Sequence, residues 1–146
     1  MSEFDGIEVL LVEDNDRDAE LTMRAFKKCN LHNKLYWAKD GVEALEFMGG
    51  TGTFAGRDAR DLPRVILLDL KMPRLDGLDV LRSLKADERT RAVPIVVMTS
   101  SNQERDLNAC YELGVNGYVT KPIGFTELTE AVAKIGLFWL LVNRIP

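Results

Sequence analysis

An α/β domain, a parallel sheet with helices over both faces, is predicted by three features of this sequence. Short apolar runs rich in branched residues recur along it, too short for helices and continuous enough for strands buried on both faces. Segments with apolar residues at helical spacing alternate with those runs. Most runs close on a polar or charged residue, and a parallel sheet collects such run ends along one edge, where open α/β folds place their ligand sites.

Ile7-Glu8-Val9-Leu10-Leu11-Val12 reads as the first strand, closed by Glu13-Asp14. Leu21, Thr22, Ala25, Phe26 and Cys29 then predict a helix from about Asp16 to Asn30. Leu35-Tyr36-Trp37-Ala38 is a short second strand, and Asp40-Gly41 turns into a helix with Val42, Leu45 and Met48 facing inward. The stretch from Gly49 to Gly56 is the long loop, expected to be mobile or a docking element. Val65-Ile66-Leu67-Leu68 forms the third strand and ends on Asp69; Asp76-Gly77 opens a third helix carrying Val80, Leu81 and Leu84. Val93-Pro94-Ile95-Val96-Val97-Met98 ends on Thr99, and Asn102 is the expected cap of a fourth helix from Gln103 to Leu113, stopped by Gly114. Gly117-Tyr118-Val119-Thr120 ends on Lys121, and the last helix runs from about Phe125 toward Asn143. Five strands and five helices with right-handed crossovers leave few topologies.

A length of 146 residues suits one domain, and 46% hydrophobic with 29% charged residues describes an ordinary globule. A net charge of −4 argues against a nucleic-acid partner. No apolar run approaches a membrane span, and the acidic start, Met1-Ser2-Glu3-Phe4-Asp5, lacks a secretory signal. Cys29 and Cys110 fall in helix-like segments without a CxxC, as expected of reduced thiols in a cytoplasmic protein.

Glu13, Asp14 and Asp69 meet at one sheet edge with Thr99 and Lys121 if the strands are parallel. Three carboxylates so placed repel one another, and a hard divalent cation such as Mg²⁺ relieves the repulsion through oxygen ligands. No His or Cys stands at these strand ends, which disfavours zinc. A carboxylate beside such an ion is a nucleophile that can form an acyl phosphate. Phosphoryl transfer needs the oxygens neutralised, here by the metal, Lys121 and the Thr99 hydroxyl.

Val12-Glu13-Asp14-Asn15, Leu68-Asp69-Leu70-Lys71-Met72-Pro73 with Asp76-Gly77, Met98-Thr99-Ser100 and Tyr118-Val119-Thr120-Lys121-Pro122 resemble the four signature segments of response-regulator receiver domains. The resemblance spans nearly the whole chain. It implies a three-layer, flavodoxin-like (βα)5 fold with a five-stranded parallel sheet ordered 2-1-3-4-5. By that likeness Asp69 is the phosphoacceptor, and Glu13, Asp14, Asp69 and the backbone carbonyl of Lys71 hold Mg²⁺. Lys121 would bind an oxygen of Asp69 and then the phosphoryl group, which Thr99 also meets. Tyr118 would be the aromatic switch, Ser100 the small residue that keeps the pocket open, and the Lys121–Pro122 bond cis. The donor is expected to be a phosphohistidine on a sensor kinase. The stretch from Asn30 to Trp37, the glycine loop and the apolar tail resemble stand-alone regulators paired with bacterial phytochrome kinases.

Two features are particular to this chain. Lys71 stands two residues past Asp69, where its side chain either reaches over the pocket or lies solvated; with Ser101 two past Thr99, it is expected to position attacking water poorly and lengthen the acyl phosphate's life. Leu137-Phe138-Trp139-Leu140-Leu141-Val142 is apolar all round, so residues 137–146 are expected to contribute a homodimer contact. The chain is read as a single receiver domain, 1–146, without an effector domain, signalling through protein contacts. His32 is read as a solvated turn residue.

Other readings fit less well. A haloacid-dehalogenase-like phosphatase needs a second Asp where Lys71 stands. An FMN binder needs a phosphate-cradling first loop where Glu13-Asp14 repel. A receiver-like scaffold that never takes phosphate stays open.

Overall fold

The computed structural model describes residues 6–31, 35–121 and 124–136. The calls on the acidic start, on His32, on Pro122 and on the tail from Leu137 lie outside these residues.

Five parallel strands, β1 (Val9–Val12), β2 (Leu35–Ala38), β3 (Val65–Leu68), β4 (Ile95–Thr99) and β5 (Gly117–Thr120), form one sheet in the order β2-β1-β3-β4-β5. Five helices alternate with them: α1 (Asp16–Lys28), α2 (Gly41–Gly49), α3 (Gly77–Ala86), α4 (Glu104–Glu112) and α5 (Phe125–Ile135). The expected three-layer fold and strand order are those observed.

Side chains alternate across the three central strands, splitting the core in two. Val9, Leu11, Val65, Leu67, Val96 and Met98 pack on one face with Ala19, Ala25 and Phe26 of α1 and Leu128 and Val132 of α5. Leu10, Val12, Ile66, Leu68, Ile95 and Val97 pack on the other with residues of α2, α3 and α4. Both faces are therefore covered, which is why these strands carry continuous apolar runs.

Local chemistry sets the helix starts. The side chains of Asn15, Asp40 and Asp76 accept from the backbone N–H of Asp18, Glu43 and Asp79, capping α1, α2 and α3. At α4 the expected cap is corrected: the helix starts at Glu104 after Gln103, which makes no side-chain cap. The Ser101 hydroxyl serves this end of α4, accepting from the Gln103 N–H at 3.4 Å and donating to the Asp106 carboxylate. α1 ends at Lys28, before Asn30 turns into the left-handed region at φ 61°.

Two further expectations change. In α2 the buried face is Ala44, Phe47 and Met48, while Val42 and Leu45 are half-buried, because Phe47 claims the space over the sheet. The segment after α2 is anchored rather than loose. Gly50 closes α2 at φ 64°, a conformation that favours glycine. A 3-10 turn at Gly52–Phe54 then buries Phe54 edge-on against Tyr36 and Phe47, with centroids 5.4 and 5.3 Å apart. Arg57 lies over the Phe47 ring at 4.0 Å, donates to the Phe47 carbonyl at 2.8 Å and also bonds the Asp61 carbonyl.

Among the described residues, no helix is long and apolar enough to cross a membrane.

Candidate functional site

Register brings the acidic residues together. Val12 pairs with both Ala38 and Leu68, so the next residues, Glu13 and Asp69, leave the sheet side by side. The Glu13 N–H donates to the Ala38 carbonyl at 3.1 Å and the Asp69 N–H to the Val12 carbonyl at 3.0 Å, carrying the ladder to the sheet edge. The Trp37 indole donates to the Glu13 carbonyl at 2.7 Å. Carboxylate oxygens of Glu13, Asp14 and Asp69 lie within 4.8 Å of one another. Glu13 and Asp69 are buried, 4% and 6% exposed, while Asp14 faces outward.

Behind the acids, α3 comes very close. The Gly77 N–H donates to the Leu70 carbonyl at 2.8 Å, and a Cβ at Gly77 would stand 2.2 Å from the Asp69 carbonyl oxygen. Only a residue without a side chain fits there. In front lies an open cleft of about 590 Å³, lined by Asp14, Asp18, Asp69, Lys71, Ser100, Lys121 and their neighbours on α1. Ser100 is exposed in that lining, as a small residue keeping a pocket open should be.

Lys121 is held beside β4 by its own N–H, which donates to the Thr99 carbonyl at 2.7 Å. Its ammonium departs from the expectation: it donates to Glu13 Oε1 at 2.7 Å and Asp18 Oδ2 at 2.8 Å, not to Asp69. Asp18, on the first turn of α1, is thus a site residue that sequence reasoning missed. Its faint signal is a carboxylate one helical turn past Asp14. Burial opposes the Lys121 charge, but the Asp18 and Glu13 carboxylates outweigh it and push the pKa up. Burial, reinforced by the Asp69 charge and opposed by Lys121, pushes the Glu13 carboxyl up to about 7. One ammonium does not balance three converging carboxylates. The oxygen donor set and this residual crowding fit a hard divalent cation.

The Thr99 side chain is fully buried one strand over from Asp69, its hydroxyl accepting from the Ser101 N–H at 3.3 Å. Tyr118 is half-buried against the core, and its hydroxyl donates to the Ser101 carbonyl at 2.9 Å. Ser101 therefore touches both expected switch residues. The Lys71 N–H approaches Asp69 Oδ1 at 3.5 Å, while its ammonium leans toward α4 and stands 3.6 Å from buried Asp106. The side chain thus lines the mouth of the cleft while pairing with α4. The Ser101 hydroxyl bond, helped by Lys71, holds the Asp106 carboxyl below its ordinary pKa. Asp106 was not legible as a partner, because its contacts come from two other loops.

Comparison with known proteins places the chain among relatives of known family. The family model described as the response regulator receiver domain matches residues 9–133. The probable methanogenesis regulatory protein FilR2 of Methanothrix harundinacea is 42% identical over 94% of this chain and 86% of its own length. The response regulator Rcp1 of Synechocystis is 36% identical over 94% of this chain and 92% of its own length. The Mn²⁺-bound structure of Rcp1 superposes with a TM-score of 0.82, covering 94% of this chain and 97% of that one. The structure of the phosphorylated cyanobacterial phytochrome response regulator RcpA, 34% identical, superposes at 0.83, covering 94% and 96%. By family match, sequence identity and fold, this chain belongs to the response regulator receiver domains of two-component systems and is related to the phytochrome response regulators.

Proposed function

We propose that this protein accepts a phosphoryl group on Asp69 from a phosphohistidine of a sensor histidine kinase, in a reaction that requires Mg²⁺. The observation that carries the reading is the convergence of three carboxylate oxygens within 4.8 Å at the ends of β1 and β3. Glu13, Asp14, Asp69 and the backbone carbonyl of Lys71 would hold the ion. Bound Mg²⁺ would supply charge neutralisation for the phosphoryl oxygens. Asp69 then acts as nucleophile, with Lys121 and Thr99 meeting the transferred group from the protein side. The protein assists its own phosphorylation without being an enzyme toward another substrate.

The added charge, about −1.5 to −2, draws in the Thr99 hydroxyl and the Lys121 ammonium. Ser101, bonded to both Thr99 and Tyr118, couples that movement to the Tyr118 ring and the start of α4. The surface of α4, β5 and α5 is then the output, read by another protein as one state is favoured over the other. The relation to RcpA supports a phytochrome-type kinase as donor. The apolar run from Leu137 to Val142 would add a homodimer contact, checked by sedimentation at micromolar concentration. The net charge of −4 supports a role without a nucleic-acid partner.

Incubation with Mg²⁺ and acetyl phosphate, followed by intact-mass measurement, tests the reading. A gain of one phosphoryl group, lost in Asp69→Asn, is expected. No gain in the wild type would favour a scaffold that binds partners without phosphate.

A further inference from the structure

Glu13 and Asp18 share the Lys121 ammonium, and Asp18 has no part in the carboxylate cluster. Asp18 lies on the first turn of α1 and lines the open cleft, with its side chain 37% exposed. Its carboxylate is not needed to start the helix, because Asn15 already caps α1 by accepting from the Asp18 N–H at 2.9 Å. What it does is hold Lys121, across 103 residues of sequence, at 2.8 Å.

We propose that Asp18 is a positioning residue that sequesters the Lys121 ammonium in the unphosphorylated pocket and competes with the incoming phosphoryl group for it. This rests on the phosphoryl-transfer reading above. An ammonium has three N–H donors, and two are committed, to Glu13 and to Asp18. A phosphoryl donor therefore meets a cation already neutralised, and meets it past the negative charge of Asp18 at the cleft. In the transfer a bond forms between an Asp69 carboxylate oxygen and phosphorus, while the P–N bond of a phosphohistidine breaks and the imidazole leaves with the electron pair, or, with acetyl phosphate, the P–O bond breaks and acetate leaves with it. Charge builds on the phosphoryl oxygens as this happens, and Lys121 meets them with a single N–H and a partly neutralised charge unless it gives up Asp18. Glu13 keeps the ammonium in the cleft when Asp18 is removed. Asp18 thus sets a threshold against phosphorylation by weak or adventitious donors.

The rate constant for phosphorylation by acetyl phosphate with saturating Mg²⁺ tests this. Asp18→Asn is expected to raise it about fivefold, the equivalent of a half-exposed ion pair worth about 1 kcal/mol. Asp18→Ser should do the same, and Asp18→Glu, which keeps the charge, should stay near the wild type. In a Lys121→Met background the Asp18→Asn gain should vanish, because no ammonium is left to release. A rate at or below the wild type in both neutral variants, with native circular dichroism, would overturn the role. So would the full gain persisting without Lys121, which would make Asp18 a general repulsive charge. These results are separable from failure of the reading itself: phosphoryl uptake that survives Asp69→Asn undoes the phosphoacceptor, whereas unchanged rates with uptake confined to Asp69 undo Asp18 alone.

Discussion

Gly77→Ala probes the contact that seats α3 behind Asp69. A Cβ at that position would stand 2.2 Å from the Asp69 carbonyl oxygen, 2.5 Å from the Leu70 Cα and 2.9 Å from the Asp69 carbonyl carbon. All three are backbone atoms, so no side chain can rotate away, and the start of α3 must withdraw by about 1 Å to restore van der Waals contact. Overpacking of this kind costs about 1–3 kcal/mol. The displacement also stretches the 2.8 Å bond from the Gly77 N–H to the Leu70 carbonyl, adding about 1 kcal/mol. Urea denaturation should therefore show a loss of roughly 2–4 kcal/mol at unchanged m-value. Gly56→Ala is the control, since a Cβ there meets nothing within 4 Å, and it should be neutral or slightly stabilising. Because the disturbed backbone carries Asp69, divalent-ion affinity followed by Trp37 fluorescence should weaken in Gly77→Ala as well. A Gly77→Ala protein within about 0.5 kcal/mol of the Gly56→Ala control would refute the close-approach argument.

Phe54→Ala should cost about 3–5 kcal/mol in the same denaturation assay, since Phe54 is 2% exposed and packed between two rings; a loss below 1 kcal/mol would mean that the loop does not anchor α2. With divalent ions chelated, the raised Glu13 pKa makes the folded state hold its proton more tightly than the unfolded one. That contribution is fully present below the ordinary 4.5 and is lost as pH rises through about 7, an effect on the order of 3 kcal/mol that Glu13→Gln should abolish. Urea midpoints at pH 5 and pH 8, compared between wild type and Glu13→Gln, check the sign. If Asp69 takes the phosphoryl group as proposed, Lys71→Asn frees Asp106 and opens the cleft mouth beside Asp69, so the acyl phosphate should decay several-fold faster; an unchanged or slower decay would contradict the role given to Lys71.

Most of the architecture was readable before any coordinates. A strand covered on both faces must be apolar at every position, so β1, β3 and β4 announce themselves as continuous runs. The polar residue that ends each run marks the sheet edge, which is why Glu13, Asp14, Asp69, Thr99 and Lys121 could be placed at one site. Caps are equally local, and Asn15, Asp40 and Asp76 sit at the starts of α1, α2 and α3. The start of α4 differs from the local expectation: Asn102 lies one residue before the cap position held by Gln103, and the Ser101 hydroxyl serves this end, accepting from the Gln103 N–H and reaching Asp106.

By itself the sequence determined which residues are buried in the sheet and where its acidic edge lies, since both follow from short-range apolar patterning. Tertiary structure alone decided who holds whom: Lys121 with Asp18, Lys71 with Asp106, Arg57 over Phe47. A few ångströms of helix rotation choose among several carboxylates within reach of one flexible ammonium, and that rotation is set by packing between segments as much as a hundred residues apart.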